Sequence, residues 1–396
     1  MQFLFRKIYQ ELENHLAERQ ITVLTGMRRT GKTTLLLRLM DQVQSENKIY
    51  IDLQRADNRE LFSEKNYDNI LAEIARRGFD AKKRLCVFLD EIQLVPELPG
   101  VIKYLYDHYD IKFVITGSSS YYMKNLFGES LAGRKKIFEL YPLDFGEFLV
   151  FKNIKSVPRN LNELLGCDFD KYEYRRLKIF YDEYVEYGGF PEVALAGSLE
   201  KKRDLLNDII SSYINIDVAA MSDFRKRGDF YNIVKMLASR IGSRADYAKI
   251  SSIAGISAVT LRNYMGFFED TYLIKRVSVF TRNSDREIVK AQKIYFGDTG
   301  LANVLADLDS GAKFENAVFC QLARQGKIGY YSLKDGREMD FVFNDQIALE
   351  AKETPSESDW RGFARLAKIA GLKSCKLIGR NEAAKFSNYI WGGSIQ

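Results

Sequence analysis

Gly26-Met27-Arg28-Arg29-Thr30-Gly31-Lys32-Thr33 fills every fixed position of the pattern G-x-x-x-x-G-K-[ST]. Residues 21–24 ahead of it are apolar, and Thr34 to Met40 behind it read as a helix. A buried strand, a glycine turn and a helix N-terminus in that order turn successive backbone N–H groups, and the positive end of a helix dipole, toward anionic oxygen. The stretch therefore predicts a loop that wraps nucleotide phosphates with residues 26–34. Lys32 is expected to reach the β- and γ-phosphates and the Thr33 hydroxyl to hold Mg2+.

Working outward, residues 1–150 alternate apolar runs with helical patterns, as an α/β domain with a parallel sheet does. Strands are expected at 21–24, 48–52, 85–89, 112–116 and 136–140, with ligands at their carboxyl ends. The run 86–89 ends in Asp90-Glu91, the shape of a Walker B element. Asp90 would complete the Mg2+ shell from its second sphere, and Glu91 would orient and polarise the attacking water. The run Val114-Ile115-Thr116-Gly117-Ser118-Ser119 fits a strand whose end touches the γ-phosphate or that water. Ser118 and Ser119 are both candidates, and a helix cap is an equal reading of the segment.

The order of the loop, Asp90-Glu91, Thr116-Gly117-Ser118-Ser119, Leu131-Ala132-Gly133-Arg134 and Leu140-Tyr141-Pro142-Leu143-Asp144-Phe145-Gly146-Glu147-Phe148 resembles a poorly characterised family of bacterial and archaeal AAA+ ATPases. The resemblance implies ATP as ligand and hydrolysis as activity. It also implies that Arg134 acts as a finger on the γ-phosphate of a neighbouring copy, so that the chain forms a homo-oligomer. Read without it, Arg134 is a surface cation beside Lys135 and Lys136. Gly188-Gly189-Phe190-Pro191 is similar to the turn by which a helical lid meets the nucleotide in relatives, which implies a contact from Pro191.

Residues 151–228 are rich in charge and tyrosine and are expected to form that helical lid. Residues 229–300 carry Ser251 to Tyr264, two helical patterns joined at Gly255 with Ser257 as cap, and then two strand-like runs. This is helix-turn-helix spacing with a wing, its small core expected from Ala254, Ile256 and Leu261. Arg262, Lys275, Arg276, Arg282, Arg286 and Lys290 are spread over it. Two uses stay open: phosphate contact with DNA, or a packing and partner module.

Residues 301–396 hold a hairpin expected at 336–352, with Asp340 on one strand and Glu350 and Lys352 sharing a face of the next. Two carboxylates at a sheet face suit a hard cation, Mg2+ or Mn2+, and a lysine beside them suits activation of water. Glu315, on a helix expected at 313–322, is a further ligand candidate. The order helix, strands, helix, strand with Asp340 and Glu350-Ala351-Lys352 resembles the PD-(D/E)XK nucleases. The bland reading is a strand pair with ordinary surface charge.

Composition restricts the remaining classes. The chain has 396 residues, 46% of them hydrophobic and 28% charged, with a net charge of +6. It holds no run of about 18 uncharged apolar residues, so no membrane span is expected. Its N-terminus lacks the pattern of a signal peptide, and its scattered cysteines (Cys86, Cys167, Cys320, Cys375) read as reduced cytoplasmic thiols. With His15 and His108 as the only histidines, a histidine-based zinc site is not expected. A metabolic kinase has no use for the Asp90-Glu91 pair or the long C-terminal half. The expectation is an α/β protein: a P-loop AAA+ sheet, a helical lid, a winged helix and a restriction-endonuclease-like domain, coupling ATP to DNA binding or cleavage. The alternative is a nucleotide-controlled scaffold whose inactive C-terminal domains bind protein.

Overall fold

The computed structural model describes residues 4–80, 83–118, 131–218, 227–281 and 290–396. Contacts divide the chain into two units, residues 1–141 with 270–272 and residues 142–269 with 273–396. In the first, the expected apolar runs are strands: β1 (Ile21–Thr25), β2 (Lys48–Asp52), β3 (Leu85–Asp90), β4 (Ile111–Gly117) and β5 (Lys135–Glu139). They form one sheet of order β2-β3-β4-β1-β5, every pair parallel.

Burial matches the sequence pattern. β1, β3 and β4 are covered on both faces and read as unbroken apolar runs. The edge strands β2 and β5 keep exposed or half-exposed positions. One face packs Leu98, Val101, Ile102 and Leu105 of the Leu98–His108 helix against Val87, Leu89, Phe113 and Ile115. The other packs Leu35, Leu36 and Leu39 of the Lys32–Gln42 helix against Leu24, Phe88 and Val114. The sheet therefore presents the carboxyl ends of β1, β3 and β4 side by side, with the phosphate-loop helix anchored beneath them.

The second unit opens with helices, the longest being Lys171–Tyr187. Its Tyr181 and Tyr184 are buried with Phe145, and the Tyr181 ring lies 4.9 Å from Phe145 and 5.4 Å from Trp391. The helices Tyr247–Ala254 and Ala258–Asp270 meet at Gly255, which takes the left-handed conformation (φ 65°) that ends a helix, and the Ser257 hydroxyl accepts from the Thr260 N–H. Their core differs from the expected one. Leu261 is buried, but Ala254 and Ile256 are only half-buried, and Ile250 and Met265 lie inside instead. Phe230 of the preceding helix also packs on this pair, its ring 4.2 Å from Tyr264 and edge-on to Phe268 at 5.5 Å. Next come β6 (Ile274–Val277) and β7 (Lys293–Phe296), an antiparallel pair. Arg282 and Arg286 lie outside the described residues.

The C-terminal stretch runs from the Ser310–Leu322 helix through β8 (Ile328–Ser332), β9 (Glu338–Phe343) and β10 (Ile347–Lys352) to the Glu357–Ile369 helix, then β11 (Ser374–Gly379) and β12 (Tyr389–Trp391). The sheet order is β12-β11-β10-β9-β8, with β8, β9 and β10 antiparallel in turn and β10, β11 and β12 parallel. The hairpin expected at 336–352 is present as β9–β10. Among the described residues no helix is long and apolar enough to cross a membrane.

Leu36 is fully buried between the phosphate-loop helix and the sheet. Leu36→Ala is expected to lower stability by about 2–5 kcal/mol, read as a shifted midpoint in urea unfolding.

Candidate functional site

β1 ends at Thr25, the loop occupies residues 26–31, and the helix starts at Lys32. Two glycines are demanded by geometry. At Gly26 (φ 151°) a Cβ would stand 2.1 Å from the Leu140 carbonyl oxygen, and Gly31 (φ 98°) caps the helix N-terminus in the left-handed region. The loop is braced internally by the Thr30 hydroxyl donating to the Met27 carbonyl at 2.8 Å. Lys32 is buried, and its Nζ donates to the Gly26 and Met27 carbonyls at 2.9 Å each. Arg6 supports the loop from behind, donating to the Thr30 carbonyl (2.9 Å) and the Tyr141 carbonyl (2.7 Å).

At the end of β3, Asp90 gathers three hydroxyls. Thr33 donates to its Oδ2 at 2.7 Å, Tyr50 to the same oxygen at 3.3 Å, and Thr116 of β4 to its Oδ1. Burial, then the charges of Asp90 and Asp52, pushes the Tyr50 phenol well up, so it keeps the proton it donates. Glu91 comes next with a left-handed backbone (φ 57°), uncommon for a glutamate and typical of residues held for a purpose. Its N–H donates to the Thr116 hydroxyl, its carboxylate accepts from the Gln93 amide, and the same amide donates to Ser118 Oγ at 2.8 Å. The loop, Thr33, Asp90, Glu91 and Ser118 thus converge, as the sequence places them. Ser119 lies outside the described residues.

Arg6, Tyr50 and Gln93 carry no motif and are found only in three dimensions. Arg134 stands just before β5 and makes a two-pronged pair with Asp107, at 2.8 and 3.0 Å. Pro191 opens the Pro191–Leu195 helix of the second unit; ahead of it the Gly189 N–H donates to buried Asp298 at 2.7 Å. Thr33 and Asp90 supply a hydroxyl and a carboxylate in contact, a donor set that fits one hard cation completed by phosphate oxygens and water.

The C-terminal acids are arranged differently. Asp340 Oδ2 accepts from the Ala351 N–H (3.0 Å), Glu350 Oε2 from the Asp340 N–H (3.3 Å), and Lys352 Nζ lies 3.0 Å from Glu350 Oε1. Glu315 Oε1 accepts the Tyr295 hydroxyl at 2.6 Å. Burial, then the charge of Asp340, pushes the carboxyls of both Glu315 and Glu350 up. The Lys293 ammonium, which the sequence did not flag, stands 3.7 Å from Glu315, 3.0 Å from Glu338 and 3.6 Å from Asp340. Among the described residues no three acidic, histidine or cysteine side chains are disposed to hold a metal. Of the three acids expected to share a divalent ion, Glu315 and Asp340 stand beside the Lys293 ammonium and Glu350 beside that of Lys352.

Residues 18–149 match the family model of an AAA domain, and residues 179–312 that of a domain of unknown function (DUF8612). The stretch that carries the parallel sheet and phosphate loop is thus similar to an AAA domain. An uncharacterized protein of Methanocaldococcus jannaschii is 27% identical over 391 residues, covering 93% of this chain and 84% of its own. One from Haemophilus influenzae is 26% identical over 360 residues, covering 86% and 85%. Among solved structures, the Thermotoga maritima RuvB Holliday junction branch migration motor aligns with a TM-score of 0.34 at 16% identity, over 69% of this chain and 90% of that one. The Aeropyrum pernix ORC1 protein in complex with DNA aligns with a TM-score of 0.34 at 12% identity, over 80% and 92%.

Arg6 is nearly fully buried with its guanidinium on two main-chain carbonyls. Arg6→Ala is expected to loosen the loop and weaken binding of a fluorescent nucleotide by about tenfold, a loss of the size that one charged hydrogen bond carries. Arg6→Lys should recover part of it.

Proposed function

We propose that the chain binds and hydrolyses ATP at the end of β1, β3 and β4, and that nucleotide state controls binding by its second unit. The observation that carries this reading is the contact of Thr33 with Asp90 beside a loop whose lysine and helix N-terminus face the same space. In this reading Lys32 leaves the Gly26 and Met27 carbonyls for the β- and γ-phosphates, whose oxygens replace those acceptors. Thr33 and Asp90 would hold Mg2+, which supplies neutralisation of phosphate charge. Glu91 orients a water toward the γ-phosphorus and takes its proton as the bond to the β-phosphate oxygen breaks. Gln93, bonded to both Glu91 and Ser118, keeps that carboxylate aimed across the strand ends. Arg134 serves a neighbouring copy's nucleotide only after releasing Asp107, with which it is paired at the surface.

For the second unit, the helix pair at 247–270 supports a DNA-binding reading through exposed Arg262 on its second helix. Arg276 and Lys275 are both engaged by Glu269, so the expected basic surface is thinner than its sequence. The second reading, a protein partner, is favoured by Ile253 and Val259, exposed by 57% and 64% on the same two helices.

Two expected outcomes test these readings. Lys32→Ala should bind no ATP by calorimetry, while Glu91→Gln should bind it and release no phosphate; normal turnover by Glu91→Gln would reject that residue's role. Arg262→Glu should weaken DNA binding and lower the log–log salt slope by about 1 in fluorescence anisotropy. Wild-type protein that binds no DNA at low salt, with or without ATP, decides for the protein partner.

A further inference from the structure

We infer that the acid pocket of the C-terminal sheet carries its own cation: the Lys293 ammonium sits among Glu315, Glu338 and Asp340 and excludes a divalent ion, making the pocket a joint rather than a cutting centre. This concerns residues remote in sequence from the phosphate loop and stands whether or not the ATP reading holds.

Lys293 belongs to β7, and its side chain is only 1% exposed. A buried ammonium must be matched by acceptors or it unfolds the site, and here three carboxylates meet it at 3.0–3.7 Å. Arg244 bridges to the backbone of Lys293 and reaches Glu338 at 2.8 Å, so two cations arrive together from one edge. The Tyr330 ring lies 5.7 Å from the Lys293 Nζ and 5.9 Å from the Arg244 guanidinium, an aromatic wall of the kind that favours cations. From the other edge Lys352 takes Glu350. Four carboxylates (Glu315, Glu338, Asp340, Glu350) thus face three cations (Arg244, Lys293, Lys352), so most of the charge a divalent ion would use is matched inside the protein.

The oxygens are committed as well. Mg2+ demands near-octahedral oxygens at about 2.0–2.1 Å. Asp340 Oδ2 is held by the Ala351 N–H and Glu315 Oε1 by the Tyr295 hydroxyl. The Glu315 carboxylate already lies against Gly242, where an added Cβ would stand 2.7 Å from its Oε1. Admitting a metal means expelling Lys293 from among the carboxylates that match its charge. What the arrangement does instead is mechanical. Lys293 and Arg244 tie the β6–β7 hairpin and the turn before the Tyr247–Ala254 helix to β9 and the Ser310–Leu322 helix.

The test is Mn2+ titration of the full chain without nucleotide, read by electron paramagnetic resonance. Wild type and Asp340→Asn should bind alike, because no ion sits on Asp340. Lys293→Gln, which strips the resident charge, should gain one Mn2+ per chain, about tenfold or more tighter than any wild-type binding, and Lys293→Gln with Asp340→Asn should lose it. Mn2+ should also raise the melting temperature of Lys293→Gln and not of wild type. Lys293→Met serves if the glutamine variant does not fold, and the comparison of wild type with Asp340→Asn decides without either. A Mn2+ bound by wild type and lost in Asp340→Asn overturns the inference. So does a folded Lys293 variant that gains no ion.

Discussion

A buried carboxylate must be satisfied or neutralised, and at Asp90 it is hydroxyls that satisfy it. Thr33, Tyr50 and Thr116 reach it from the phosphate-loop helix, from β2 and from β4. Three separate segments are thereby fixed to the last residue of β3, and the position of the helix N-terminus over the sheet is set by that agreement. Glu91 is the next residue along, so its uncommon backbone conformation is held by the same anchorage, with its N–H on Thr116.

The two acid clusters of this chain solve one electrostatic problem in opposite ways. Around Asp90 the partners are neutral hydroxyls, which leave the carboxylate its charge and its appetite for an outside cation. In the cluster of Asp340, Glu338 and Glu350 the partners are the Lys293 and Lys352 ammoniums and the Arg244 guanidinium, which spend that charge inside the protein. Two carboxylates can therefore look alike in sequence and differ wholly in chemistry, because the deciding neighbour is a residue of another strand.

That contrast also explains how much was legible in the sequence. The phosphate loop, the five parallel strands and the β9–β10 hairpin were read from local patterns, since each is written in a continuous run of residues. Arg6, Tyr50, Gln93 and Lys293 were not, because each is a single side chain without a motif, brought to its partner by the fold. The helix pair at 247–270 fell between: its turn and cap were visible at Gly255 and Ser257, but its core was not. Ile250 and Met265 are buried there, and Phe230 of an earlier helix packs on Tyr264, a contact no local pattern encodes.

Gly26 has a consequence of its own. Its α-carbon is pressed so close to the Leu140 carbonyl that no side chain fits, the Leu140 N–H donates to the Thr25 carbonyl at 2.7 Å, and Arg6 clasps the loop and Tyr141 together. The loop and the tail of β5 are thus packed and bonded into one piece. Tyr141 is also the last residue of the first unit's long stretch, so the chain's exit from that unit is fastened to the phosphate loop itself.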